Sequence, residues 1–235
     1  CGNGAVLQDM ALARRLAESM VAVGKGAGMK TSALLTDMSV PLAWSAGNAL
    51  EVKEAVDYFL DPSSRHPRLD EVVLALGSRL LVQAARFGTT EEARLALEKV
   101  RDNGRALEVW AGQIEAMGGD PMVTEAPDKI LADAPVVRAV RAPRSGTLTG
   151  YDVRQVGMTV VELGGGRTIP DAVIDPSVGL SRLPQVGSGF QAGNDMALIH
   201  AASQADWDRA EARFLQGLVW DGDQNHPAVI LDHLT

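Results

Sequence analysis

The sequence predicts an α/β domain followed by an α+β lobe, and three observations carry that expectation. Helix-period apolar stripes fill most of the first 118 positions, a short apolar run of strand character interrupts them, and from Val136 onward the texture changes to brief apolar runs separated by Gly, Pro and Ser. A chain of 235 residues with 46% hydrophobic content can form one large domain or two small ones around a real core.

Between Gln8 and Val23, the residues Leu12, Leu16, Met20 and Val23 recur at helical spacing and predict a helix with one apolar face. Gly24, Gly26 and Gly28 end it, and Lys30 to Thr36 reads as a short, buried strand of parallel-sheet type. Ser45 or Asn48 can cap the next helix, whose apolar stripe is Val52, Val56, Phe59 and Leu60 and which stops near Asp61-Pro62. A helix from Leu69 to Arg86 aligns Val73, Leu76, Leu80 and Ala84. Thr90 to Met117 is helical behind a capping box of Thr89 and Glu92, with Asn103-Gly104 bending or interrupting it.

Gly118-Gly119-Asp120-Pro121 is loop punctuation, so the predicted division is 1–118, a linker 119–135, and a lobe 136–235. In that lobe Val136 to Ala142, Gly146 to Tyr151, Val178 to Arg182 and Met196 to Ala201 read as strands. Asp152 to Leu163 and Ala205 to Leu218 read as helices, with turns at Gly187-Ser188-Gly189 and Gly193-Asn194-Asp195.

The net charge of −8 and an aromatic content of 4% argue against a phosphate-tracking face or a base-stacking platform, so neither nucleic acid nor an anionic membrane is an expected partner. No apolar stretch approaches the roughly 20 residues of a membrane span, and no signal-peptide pattern opens the sequence. The single cysteine, Cys1, allows no internal disulfide and fits a reducing cytoplasm. Opening without Met in Cys1-Gly2-Asn3-Gly4-Ala5, the sequence reads as a fragment or a processed product.

Several motifs carry a chemical and a plain reading. Gly24 to Thr31 invites comparison with a phosphate-binding loop, but Met29 stands where that motif needs Gly, and a helix-ending turn accounts for the glycines. Gly164-Gly165-Gly166-Arg167 reads as a glycine connection with an exposed Arg. His66, His200, His226 and His233 share no metal-ligand spacing and are read as surface or structural. Glu51 and Glu54, three apart on a helix, are read as a solvated face.

The run from Gly26 through Met38, continuing through Pro41-Leu42 to Ala46-Gly47-Asn48-Ala49-Leu50-Glu51-Val52, closely resembles thymidine and pyrimidine nucleoside phosphorylases. Gly2 to Val6 resembles the family's glycine-rich segment after a sheet strand, although an aromatic residue is usual at Val6. Val178-Gly179-Leu180, Val186-Gly187 and Gln191 to Asn194 resemble its C-terminal lobe, which has barrel-sandwich character.

The resemblance implies the remainder of a nucleoside phosphorylase-type α/β domain, from a cytoplasmic homodimer that splits thymidine with phosphate as cosubstrate and no organic cofactor. It places Gly4, Ala5 and Val6 along the nucleoside cleft, and Leu42, Ser45 and Glu54 at positions that hold a monovalent cation in some relatives. The family's phosphate loop and its Arg, Ser and Lys groups precede the matching segment, so no catalytic residue transfers. The competing expectations are a noncatalytic interaction fragment that needs a separate N-terminal half, and a biotin or lipoate carrier. The carrier needs a lysine at a hairpin tip, and no Lys follows Lys129.

Overall fold

Asp9 starts the first helix by accepting a hydrogen bond from the Leu12 amide at 2.9 Å, leaving α1 to run over Met10–Gly26. In the computed structural model, which describes residues 1–223 and 228–235, the following strand β1 is Ala33–Thr36. Small residues make the contact between them. Ala17, Val21 and Gly24 are buried, and a methyl group on Gly24 would sit 2.2 Å from the Thr31 hydroxyl.

That packing reverses the expected face of α1. Leu12, Leu16, Met20 and Val23 are 50–69% exposed because the helix approaches the sheet through its small side. Spacing finds an apolar stripe without saying which stripe is covered.

β1 also departs from its predicted parallel setting. It pairs antiparallel with the last strand β8, Ile230–Leu234, in the register Ala33↔Leu234 to Thr36↔Ile230. The segment 230–234, assigned by sequence to the second lobe, therefore belongs beside the first strand. A buried apolar run reports cover on two faces, whereas strand direction is set by a partner some two hundred positions away.

Three longer helices follow the expected order: α2 Asn48–Leu60, α3 Pro67–Gln83 and α4 Thr90–Asp102. The capping box of Thr89 and Glu92 forms, and Gly104, at φ +83°, separates α4 from α5, Arg105–Ala116. In α3 the stripe Val73, Leu76 and Leu80 is exposed while Leu74 and Ser78 are buried. A short 3-10 turn at Pro121–Thr124 and the single-turn α6, Pro127–Ile130, occupy the stretch read as a linker.

The second lobe contains β2 Val136–Arg141, β3 Gly146–Tyr151, α7 Val153–Val160, β4 Gly179–Ser181, β5 Gly189–Phe190, β6 Asp195–Ala201, α8 Gln204–Gln216 and β7 Leu218–Trp220. These make two antiparallel three-stranded sheets, in the orders β2-β6-β4 and β5-β3-β7. The predicted helix past Val160 widens into a π-type turn, Val161–Gly165, where Gly164 takes φ +99°. Val140, Leu148, Leu180, Ile199, Trp207 and Phe214 form the main core, drawing on both sheets and α8.

The lobes meet along backbone. Ala46 N–H donates to the Leu180 carbonyl at 2.9 Å and Leu180 N–H to the Ala46 carbonyl at 2.8 Å, with Leu183 N–H to Trp44 O and Ala49 N–H to Pro176 O, both at 2.9 Å, extending the seam. Gly47 and Gly179 allow this approach: a methyl on Gly179, at φ +154°, would lie 2.3 Å from the Ala46 oxygen. Replacing Gly179→Ala is expected to destabilise the chain by at least about 2 kcal/mol, through steric overlap and an unfavourable dihedral together. Urea denaturation of both proteins measures it, and an unchanged midpoint would remove the seam from the stability of the fold.

Candidate functional site

Gly2 to Val6 runs between two walls. On one side the Gly4 amide donates to the Met38 carbonyl at 3.1 Å, and a methyl on Gly2 would meet the Ser39 nitrogen at 2.7 Å. On the other, a methyl on Gly4 would sit 2.6 Å from Val153 Cγ1 at the start of α7. The glycines are therefore required by close approach to both walls.

Asn3, between those glycines, spans to the second lobe. Its side-chain amide donates to the Tyr151 carbonyl at 2.6 Å, and its oxygen accepts the Val153 amide at 3.1 Å. Asp152 caps the same helix by accepting from Gln155 at 3.1 Å, so two residues share the free amides of its first turn. Sequence reading passed over Asn3. The available signal was an amide side chain flanked by two glycines, which can pair with backbone groups brought close to it.

The three candidate substrate residues do not share one surface. Gly4 faces α7, while Ala5 and Val6 line an apolar recess of about 480 Å³ between α1 and β1, with Leu16, Met20 and Leu34. Val6 is fully exposed.

Leu42, Ser45 and Glu54 do come together, around a cavity of about 350 Å³ that Val153, Val156 and Gly157 of α7 close on the far side. Glu54 reaches back from α2 and accepts from the Trp44 amide at 2.8 Å and from the Ser45 hydroxyl. Glu51 accepts from the Gly47 amide at 2.9 Å. Both carboxylates thus tie down the loop before α2; Glu51 remains on the solvated face expected of it, whereas the half-buried Glu54 departs from that reading. Neither Ser45 nor Asn48 caps α2; Gly47 holds the cap position, and the Asn48 side chain donates to the Gly165 carbonyl at 3.2 Å. Val153 is the common neighbour: it touches Gly4 and lines the Glu54 cavity.

A second interlobe groove lies beyond α2, with Lys53, Asp57, Arg182 and His200 on its walls. Burial holds the Asp57 carboxyl above its usual range, Lys53 opposing and Asp128 and Asp61 reinforcing the shift. Ser181 Oγ and His200 Nε2 are 2.8 Å apart, and His233 packs against the Arg79 guanidinium, so both imidazoles have protein partners as expected of structural histidines. His226 lies outside the described residues. Among the described residues no three His, Cys, Asp or Glu side chains gather as a metal cluster. Arg167 is exposed after its glycine run, and Gly28, at φ +80°, ends α1 in the manner of a turn.

Two family models match this architecture. The a/b domain of a glycosyl transferase family matches residues 1–107, and the pyrimidine nucleoside phosphorylase C-terminal domain matches residues 147–220. The chain is 42% identical over 212 residues to the thymidine phosphorylase of Agrobacterium fabrum, covering 90% of this chain and 48% of that protein. It is 44% identical over 211 residues to the thymidine phosphorylase of Mesorhizobium japonicum, with the same coverage. The figure for a Burkholderia cenocepacia thymidine phosphorylase is 43% over 218 residues, 93% of this chain and 50% of the relative. The chain belongs to the thymidine phosphorylase family.

It spans about half the length of the curated relatives it matches. The first matched domain supplies Gly4, Leu42, Ser45 and Glu54, and the second supplies most of the core beneath the seam. Among the described residues no helix is long and apolar enough to cross a membrane.

Between the lobes, His66 closes an apolar cavity of about 320 Å³ with Pro41, Tyr151 and Leu183. Its Nδ1 accepts the Arg68 amide at 3.2 Å, capping α3, and its ring meets Trp44 edge-on at 4.3 Å between centroids. Burial, helped by the Arg68 charge, pushes the imidazole down to about 4 from an ordinary 6.5. Between those values the unfolded chain holds a proton that the folded chain does not, so stability present above pH 6.5 is lost as the pH falls towards 4. Relative to His66→Asn, which keeps a cap acceptor, the native chain is expected to lose up to about 3 kcal/mol between pH 7 and pH 4. Parallel denaturation curves for the two proteins across that range would contradict a neutral buried imidazole.

Proposed function

We propose that this chain is the C-terminal portion of a pyrimidine nucleoside phosphorylase, acting in cytoplasmic nucleoside salvage, that converts thymidine and phosphate to thymine and 2-deoxyribose 1-phosphate. The observation that carries the reading is the convergence on α7 of the Gly4 segment and the Glu54 cavity, in a chain 42–44% identical to thymidine phosphorylases. In this reaction a phosphate oxygen bonds to the anomeric carbon while the carbon–nitrogen bond breaks and its electron pair leaves with the base. Placement and charge stabilisation supply most of the rate. Gly4, on the α7 side, and Ala5 and Val6, on the recess between α1 and β1, would flank the nucleoside from different surfaces, with Val6 as an apolar edge without a chemical role.

A monovalent cation fits the second set of residues. No hydrogen bond among the described residues ends on the backbone carbonyls of Leu42 or Ser45, and the Glu54 carboxylate, with two donors, keeps lone pairs for a further partner. Hard oxygen donors of this kind suit an alkali ion, and the ion would fix the loop beside α7. The proposal also includes the division at 1–118, 119–135 and 136–235, modified by the return of 230–234, a barrel-sandwich relation between the two three-stranded sheets, and assembly as a homodimer in the complete enzyme.

A specific observation supports a complementary half as partner. The exposed apolar residues of α1, the exposed stripe of α3 and the unpaired edge of β1 away from β8 are surfaces of the first lobe of the kind that a packed neighbour covers. In this reading the phosphate cradle is supplied by the half of the relatives that this sequence does not span. The alternative is that the chain is a noncatalytic interaction fragment whose only role is to complete such a half.

The purified chain alone is expected to release no thymine from thymidine and phosphate above background, since nothing among the described residues forms a phosphate cradle. Activity that tracks the protein through purification would refute this. Co-expressed with the N-terminal half of a relative, it is expected to associate and recover phosphorolysis. Val6→Asp should then lower the recovered activity more than Lys129→Ala, because Val6, fully exposed in this chain, would be covered in the reconstituted cleft, where a carboxylate loses its hydration, while Lys129 lies away from that recess. Equal activities would remove Val6 from the site, and failure to associate would count against the complementary half.

A further inference from the structure

Helix α7 is the shared wall of the candidate cleft, and it is fastened on opposite sides by different lobes. From α8, Arg213 holds Glu162 through two hydrogen bonds of 2.7 and 2.6 Å and Gln155 through a third of 2.7 Å, so α7 and the turn after it are fixed to the second lobe. From the first lobe the grip comes at the two ends. Asn3 brackets the N-terminal end through Tyr151 O and Val153 N, and Asn48 reaches the turn after the C-terminal end through Gly165 O.

Both asparagines belong to segments of the candidate site. Asn3 sits inside the glycine run that bears Gly4, Ala5 and Val6, and Asn48 opens α2, which carries Glu54 six residues on. Each side-chain amide meets backbone rather than another side chain, so the contact reports the position of α7 itself.

We infer that Asn3 and Asn48 are positioning residues that set α7 as the wall between the nucleoside side of the cleft and the Glu54 cavity. The inference rests on the proposed phosphorylase reading for its catalytic consequence, though not for its structural one. Neither residue touches the reacting atoms. Loss of either residue's side-chain amide frees one end of α7 from the first lobe, and loss at the Asn3 end loosens the wall beside Gly4 and weakens nucleoside binding ahead of chemistry.

Hydrogen exchange on the 235-residue chain tests the structural half of the inference. Asn3→Ala is expected to raise exchange about five- to tenfold at the first turn of α7 while leaving α8 unchanged, the effect of losing ordinary hydrogen bonds. Asn48→Ala should do the same near Gly165. Asn3→Asp, which keeps the acceptor for Val153 and loses the donor to Tyr151, should fall between.

In enzyme reconstituted with an N-terminal half, Asn3→Ala should raise the nucleoside KM severalfold with kcat nearly unchanged. Unaltered exchange at α7, loosening spread equally over α8, or a fall in kcat at constant KM would each overturn the inference. Absence of activity with the unsubstituted reconstituted chain would instead count against the proposed function, and the exchange comparison would still decide the role of the asparagines.

Discussion

Ala46 and Leu180 exchange a pair of backbone hydrogen bonds, and the rest of the architecture depends on that short antiparallel bridge. Backbone can approach backbone this closely because Gly47 and Gly179 flank the bridge and carry no Cβ. Once the bridge is made, Trp44, Ala46 and Ala49 are fixed against Leu183, Leu180 and Pro176. The loop before α2 is then held between the two lobes, and the cavity of Leu42, Ser45 and Glu54 has a defined wall. Side-chain packing alone would leave this loop free to slide, since apolar contact has no direction whereas paired amides and carbonyls do.

The polar groups around the seam serve mainly to hold backbone. Glu51 and Glu54 accept from loop amides, Asn3 and Asn48 bridge to backbone of the second lobe, and His66 caps α3 in its neutral form. Such an arrangement suits a reaction that needs exact placement more than a nucleophilic side chain. It also explains why inspection for catalytic residue types yields little in this half. The residues with most influence on the site are two asparagines and several glycines, whose contribution is geometry.

Much of the local structure was legible in the sequence. The capping box at Thr89, the break at Asn103-Gly104, the stop before Pro62 and the change to short strands after Pro135 all follow from local rules, and the structure keeps them. The motif from Gly26 to Val52 was long enough to identify the family. What escaped notice were short elements without a pattern of their own: β5 has two residues and β7 three, each stabilised by pairing with β3 and not by its own propensity.

The sequence by itself determined where most helices and longer strands lie, because periodicity, capping residues and glycines act within a few positions of themselves. Tertiary structure decided which face of α1 is covered, that β1 pairs with Ile230–Leu234, and that Glu54, Ser45 and Val153 share one cavity. These depend on partners far along the chain. Leu12 and Ala13 lie on neighbouring faces of one helix, and only the shape of the surface beneath, here a close approach that admits Ala17 and Gly24 but not Leu16, chooses between them.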